Sequence, residues 1–306
     1  MTFASRLISS TIGRAVPRYR TLGEWAKTYR LIIAGKPIEE KTKANRLCVL
    51  AHVLAGLGAD RIISAVKPHE ISGVVMGVYK SHPPLAKRIL IEAKDFFAEA
   101  VNYAWLLRSP AAAIRYPKVR VLRERLTLKQ WQQIHAWSAE HQPPWVSRML
   151  MLALVTAQRR SDLEKMRFSD VWDDHLHIEQ AKTGERLALP LKLRLDAIGV
   201  SIDHTIEDCR SYAANEDYLL RKHNGQPLVM ASLSARFEEA REGALPVFSS
   251  GHPPSLHECR SLSERLYRAQ GVNTMVLLGH KSQRMTDLYN DDRGLSQGEW
   301  KKLTLR

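Results

Sequence analysis

The sequence predicts a mainly α-helical protein with a small β-sheet, built as two domains. Three observations carry that expectation. Apolar residues recur at helical spacing through most of the 306 residues, and strict alternation is confined to short stretches. The positive charge is also concentrated in one part of the chain. Residues 1–126 hold 22 basic and 9 acidic side chains, net +13, whereas residues 127–306 hold 24 and 23, net +1. The first part is thus equipped to grip a polyanion, and the second for something more specialised.

Composition narrows the classes further. A chain this long, 44% hydrophobic and 25% charged, buries a sizeable core without disulfide or metal staples. Three widely spaced cysteines, Cys48, Cys209 and Cys259, form neither a disulfide framework nor a metal-ligand pattern, so a reducing compartment is expected. No apolar run reaches 18 residues, which excludes a membrane-spanning helix.

Residues 1–20 are basic and free of acid, and read as a flexible arm. From Thr21 a helix is expected with Leu22, Trp25, Ala26, Tyr29 and Ile32 on one face, ended by Gly35-Lys36-Pro37. A second covers roughly 41–57 with Leu47, Leu50, Ala51 and Leu54 inward. A third begins after Pro68 and a fourth runs over about 85–106, which makes residues 21–107 a helical bundle with basic outer faces. Residues 108–126 carry Pro110 and Pro117, six basic residues and a single acid, Glu124, and read as a basic interdomain linker.

The second domain, 127–306, opens on Thr127-Leu128-Lys129-Gln130, a capping-box pattern ahead of Trp131 and Ile134. Residues 145–157 are apolar nearly all round and form a buried core helix. Ser161-Asp162-Leu163-Glu164 has the form of a second capping box. Residues 175–179 and 186–191 alternate at period two about Lys182-Thr183-Gly184, a β-hairpin. A helix is expected over 255–269, buried through Leu256, Cys259, Leu262 and Leu266, with His257 and Arg260 on an adjacent face. The rest is helical until Leu303 and Leu305, which alternate as a short terminal strand.

Six residues could carry chemistry: Arg159, Lys182, His257, Arg260, His280 and Tyr289. Each has an ordinary explanation on its own, such as a surface arginine, a lysine at a hairpin tip or a half-buried tyrosine. Together, in a chain with so basic a first part, they suit phosphodiester chemistry without metal or cofactor. Guanidiniums neutralise non-bridging oxygens, an imidazole assists deprotonation of a phenol, and an ammonium protonates a leaving 5′-hydroxyl.

In order and spacing these residues resemble the tyrosine recombinases of the bacteriophage lambda integrase type. The motifs are Thr156-Ala157-Gln158-Arg159, Gln180-Ala181-Lys182-Thr183-Gly184, His257-Glu258-Cys259-Arg260-Ser261-Leu262-Ser263, Leu278-Gly279-His280-Lys281-Ser282 and Tyr289-Asn290-Asp291-Asp292-Arg293-Gly294. The resemblance implies a helical core-binding domain and a mixed α/β catalytic domain that clamp DNA. Arg159, Arg260 and His280 would hold the scissile phosphate, Lys182 would act as general acid and His257 as proton-transfer partner. Tyr289 would attack phosphorus to give a 3′-phosphotyrosine, resolved through a Holliday junction. Asp162 would support the arginines, though a carboxylate in a first helical turn is also ordinary.

The same resemblance implies double-stranded attachment sites and a homotetramer on two duplexes. It also implies accessory partners, a host DNA-bending protein and an excisionase, and a bacterial cytoplasmic, nucleoid-associated setting. Lys41, Lys43, Arg46, Lys87, Arg108, Arg115, Lys118, Arg120, Arg123 and Arg125 are the candidate DNA contacts, giving affinity rather than sequence reading. The terminal strand matches the family's tail, which packs on a neighbouring subunit. Lambda-type integrases carry a further N-terminal domain for arm-type sites, for which the twenty residues before the first helix are too few. Two other readings share the chemistry or the fold: a type IB topoisomerase or resolvase acting on one duplex, and a DNA-binding regulator whose catalytic residues have fallen silent.

Overall fold

Thr21 begins the first helix with a reciprocal cap: its side chain accepts from the Glu24 amide, and the Glu24 carboxylate accepts from the Thr21 amide. In the computed structural model, which describes residues 20–119, 121–212, 217–245 and 251–290, the chain divides into units Met1–Val121 and Leu122–Arg306. The expected arm up to residue 19, Arg120 and the terminal strand at Leu303 and Leu305 lie outside the described residues.

The first unit is formed by α1 (Leu22–Gly35), α2 (Glu40–Leu57), α3 (Pro68–Tyr79) and α4 (Pro83–Asn102). Prolines at the starts of α3 and α4 lack an amide that no helical carbonyl would accept, so they cost nothing there. The core joins Leu22, Trp25, Tyr29 and Ile33 of α1 to Phe96 and Phe97 of α4. Within it the Trp25 indole donates to the Phe96 carbonyl at 2.9 Å, which satisfies the one polar atom of that ring.

One expectation for this unit is corrected. The inward face of α2 is Val49, Leu50 and Val53, with Leu54 and Leu57 half-buried, whereas Leu47 and Ala51 are exposed. At the level of Leu47, α4 presents Glu92 and Asp95, and α2 turns Arg46 towards them instead of an apolar side chain.

The second unit is built on α5 (Leu128–His141), α6 (Trp145–Thr156), α8 (Ile202–Arg210), α9 (Met230–Ala244) and α10 (His257–Ala269). The one-turn α7 (Arg160–Leu163) and the short α11 (Thr274–Leu278) and α12 (Gln283–Asn290) complete its described α-helices. Thr127 and Gln130 form the expected capping box. α6 is buried along nearly its whole length. Strands β1 (Val171–Trp172), β2 (His175–Glu179) and β3 (Arg186–Pro190) make an antiparallel sheet in that order, with His175 opposite Pro190 and Glu179 opposite Arg186. A second pair, β4 (Arg194–Leu195) with β5 (Val200–Ser201), escaped the sequence reading because two-residue strands show no alternation.

Two further corrections bear on the site. Ser161 does not cap a helix. α6 ends in a left-handed residue, Ala157 (φ 57°), the chain extends at Arg159, and the next turn starts at Arg160 with Arg159 in the cap position, two residues too early for Ser161 to be its cap. On α10, burial is not limited to one stripe: Glu258, Arg260, Ser261, Ser263 and Glu264 are buried as well, because α6, α11 and α12 all pack against this helix.

Candidate active site

Arg159 leaves the corner between α6 and α7 with its side chain only 15% exposed. Its Nη1 donates to Gln180 Oε1 at 2.6 Å and lies 4.0 Å from the Asp162 carboxylate. That carboxylate is buried and also accepts from the Ala181 amide at 2.9 Å, which ties the corner to the hairpin turn.

Arg260, 1% exposed, reaches from α10 beneath the same corner. Its Nη1 donates to the Ala157 carbonyl and its Nη2 to the Leu278 carbonyl, both at 2.6 Å, and Nη2 lies 3.4 Å from His280 Nε2. Two carbonyls orient this guanidinium without neutralising it. Burial, then the like charge of Arg159, lowers its pKa to about 10 against the opposing pull of Tyr289 and Asp162.

His280 follows Gly279, which ends α11 with φ +60° in the left-handed region. A side chain there would also have to displace the Gln180 amide, because a Cβ would fall 2.9 Å from its nitrogen. The His280 ring is buried, and Nδ1 bonds the Thr286 hydroxyl of α12 at 3.0 Å. Lost hydration and then Arg260 and Arg159 hold its pKa down at about 4.

Tyr289 closes the group from α12. Its hydroxyl is 3.3 Å from His257 Nε2, and its ring lies 5.2 Å from that of His280 and 5.7 Å from the Arg260 guanidinium carbon. His257 keeps an exposed edge, yet its pKa is also pushed down to about 4, by lost hydration first and Arg260 second, with Glu258 opposing. Both imidazoles are therefore neutral at pH 7, each with one nitrogen that donates a hydrogen bond and one that accepts a hydrogen bond or a proton. Lys182 stands exposed on the turn two residues beyond Gln180 and forms no ion pair among the described residues.

The helix that carries Tyr289 is held at its end by an arginine with a different expected task. Arg125 donates to the Leu288 carbonyl at 2.7 Å and to Glu258 at 3.0 Å, and the side chains of Arg125 and Glu258 are 1% and 2% exposed. It was a candidate DNA contact, but its charge is spent inside the second unit. Arg46 is likewise committed to Glu92 and Asp95, and Lys43 pairs with Glu40 at 2.8 Å. Lys41, Lys87, Arg108, Arg115, Lys118 and Arg123 are exposed. Sequence reasoning overlooked Gln180, Arg125 and Thr286 as parts of the site. Only Gln180 left a signal, through its place in the motif that ends at Gly184.

Five of the six candidates are joined through direct contacts or through Gln180, and the sixth rides on a turn bonded to the same amide. Cations, neutral imidazoles and a phenol gathered in this way define a centre able to bind a phosphodiester and transfer it to a tyrosine. Comparisons with known proteins agree. Residues 124–294 match the phage integrase family. The chain is 38% identical to prophage integrase IntE of Escherichia coli (strain K12) over 256 residues, 80% of this chain and 67% of that one. It is 35% identical to the integrase of Escherichia phage lambda over 289 residues, 94% and 79% of the two chains. A lambda integrase dimer bound to a COC′ core site superposes with a TM-score of 0.86 at 34% identity, covering 94% of this chain and all of that one. A lambda integrase tetramer bound to a Holliday junction does so with the same score at 31%, covering 100% and 84%. The chain belongs to the phage integrase family, and is a tyrosine site-specific recombinase.

Among the described residues, no helix is long and apolar enough to cross a membrane, and no group of three or more His, Cys, Asp or Glu side chains could hold a metal ion.

Proposed function

We propose that Tyr289 is the nucleophile by which this recombinase cuts and rejoins DNA attachment sites. The observation that carries the proposal is the Tyr289 hydroxyl 3.3 Å from the Nε2 of a neutral His257, with the Arg260 guanidinium beside the phenol ring. Arg159, Arg260 and His280 hold the non-bridging oxygens of the scissile phosphate. The phenol oxygen attacks phosphorus, its proton passes to His257, and the bond to the 5′-oxygen breaks as Lys182 protonates it. The product is a 3′-phosphotyrosine with a free 5′-hydroxyl. A 5′-hydroxyl from a second duplex then attacks that linkage and regenerates the tyrosine. Bond energy is kept in the phosphotyrosine, so the exchange needs no high-energy cofactor.

An imidazole of pKa about 4 is a weak base at neutral pH. A bound phosphodiester supplies the negative charge that offsets Arg260 and Arg159, so substrate itself raises His257 towards the range where it takes the proton. The site is thus armed by its DNA. The same reading assigns to this chain what the similar structures contain, a dimer on a core site and a tetramer on a Holliday junction, formed here on two attachment-site duplexes. Lys41, Lys87, Arg108, Arg115, Lys118, Arg120 and Arg123 contact the phosphate backbone. A host DNA-bending protein and an excisionase complete the assembly, which works on the nucleoid of a bacterial host.

The test is a nicked suicide duplex tiled across the DNA that flanks the gene, incubated without metal or ATP. Wild type should form an SDS-resistant protein–DNA band that Tyr289→Phe does not form. Duplex affinity should be unchanged in the variant, because one hydroxyl is at most one of many phosphate contacts. A covalent band from Tyr289→Phe would remove Tyr289 from its role.

A further inference from the structure

The geometry points to Gln180 as a positioning residue for the reaction, one that locks Arg159 and the Lys182 turn into a single arrangement. The inference rests on the phosphate-binding role of Arg159 and the general-acid role of Lys182 proposed above, and adds the group that sets both.

Gln180 is 1% exposed, and its side-chain amide uses all four of its hydrogen-bonding positions. Oε1 accepts from Arg159 Nη1 at 2.6 Å and from the Thr183 hydroxyl at 2.9 Å. Nε2 donates to Gln158 Oε1 at 2.9 Å and to the Leu278 carbonyl at 3.0 Å. The backbone of the same residue shapes the turn. Its carbonyl accepts from the Thr183 and Gly184 amides at 3.2 and 2.8 Å, and its amide donates to the Glu185 carbonyl at 2.9 Å. Lys182 lies inside the turn that these bonds close.

A lysine on an exposed hairpin has many conformers, and a long guanidinium has nearly as many. Each is useful only where the phosphate sits. One fully satisfied buried amide removes that freedom from Arg159 directly, and from Lys182 through Thr183. The Leu278 carbonyl that Gln180 holds also takes Arg260 Nη2 at 2.6 Å, so both arginines are referred to one point. A second observation ties Gly279 to this amide: a Cβ at 279 would fall 2.9 Å from the Gln180 nitrogen and would push the amide out of its place.

Alanine or glutamate at 180 should therefore slow cleavage with little change in duplex affinity. Glutamate keeps the shape but has no N–H for Gln158 or Leu278, and places a charge against Arg159. The probes are three nicked duplexes of one sequence. The first is an ordinary phosphodiester. The second carries a bridging sulfur in place of the 5′-oxygen, which leaves without a proton and so does not need Lys182. The third carries a methylphosphonate at the scissile position, which has lost the charge that Arg159 neutralises. Rates are compared between substrates for one protein preparation, so any change in folded fraction cancels.

Gln180→Ala should be slower than wild type by roughly 100-fold on the ordinary duplex. The deficit should shrink by roughly tenfold on each altered duplex, because each removes the need for one group that Gln180 positions. An equal deficit on all three duplexes, or none on the first, overturns the proposal. Lys182→Ala on the sulfur duplex and Arg159→Ala on the methylphosphonate test the assigned roles of those two residues apart from the role of Gln180. If those variants are not recovered, the assigned roles fail and the positioning role falls with them. If they are recovered and Gln180→Ala is not, Gln180 alone is overturned.

Discussion

Arg46 in the first unit and Arg260 in the second are both drawn towards the interior, and their charges are treated in opposite ways. In the first, Arg46 meets two carboxylates. Its Nε lies 3.2 and 3.1 Å from the oxygens of Glu92, its Nη2 bonds Asp95, and Nη2 also donates to the Tyr29 hydroxyl at 2.6 Å. Burial, then Asp95 and Glu92, drives the Tyr29 phenol well above its ordinary value, so that hydroxyl stays protonated and is unfit as a nucleophile. In the second unit, Arg260 is more deeply buried, yet its hydrogen bonds go to carbonyls and its ring neighbours are His280 and Tyr289, with no carboxylate in direct contact among the described residues, and its pKa falls. The contrast teaches what a catalytic interior gives up. A charge-balanced cluster braces helices, whereas an under-neutralised one stores positive potential for an anion that has yet to arrive.

The largest effect is expected at Arg260. Arg260→Ala should lower the rate of covalent complex formation by about 10²–10³, as for loss of one preorganised donor to a developing anion. Quenched-flow cleavage at saturating duplex measures it, and a rate within a few-fold of wild type would show that the buried cation is structural. Next in size, Arg46→Met leaves the buried Glu92 without its cation and should destabilise the first unit by about 3 kcal/mol. Denaturant unfolding followed by tryptophan fluorescence reads this, and cleavage by the folded variant should be unchanged once duplex is saturating.

Arg125→Met tests the neutralised pair of the second unit. It removes the bond to the Leu288 carbonyl next to Tyr289, and should slow cleavage by about tenfold through a looser nucleophile. Duplex affinity should fall little, and a steep loss of affinity with an unchanged rate would return Arg125 to the DNA-contact set. The smallest effect is the pH dependence of the DNA-free protein. His257 and His280 titrate near 4 in the fold and near 6.5 when unfolded. The unfolded chain therefore binds these protons first, and stability falls as pH drops from about 6.5 towards 4. NMR titration of the ring protons should show both values rising when duplex is bound. Values unmoved by DNA would end the account in which the phosphate arms the site.

Much of this protein is legible along the chain. The capping pair of Thr127 with Gln130 is local chemistry, as is the hairpin turn at Gly184 (φ +68°). The apolar continuity of α6 and the spacing of the six chemical residues are equally visible, because helix and strand periods write themselves into sequence. What failed was partnership at long separation. Leu47 looked inward because the α2 pattern does not show that α4 meets it with Glu92 and Asp95. Ser161 looked like a cap because its motif is silent about the left-handed Ala157 that ends α6.

Arg125 shows the limit most plainly. In sequence it is one of several cations on a basic stretch, and nothing nearby distinguishes it from Arg123. Its partners are Glu258 and the Leu288 carbonyl, 133 and 163 residues away. Gln180, too, has its meaning fixed by Arg159, Gln158 and Leu278, which come together only when α6, the hairpin and α11 converge. The kinds of group, their order and the local turns were thus settled by the chain, since each depends on a few neighbouring residues. Which cation meets a carboxylate and which is left to wait for a phosphate was settled by folding, because charge neutralisation depends on distance in space and not along the chain.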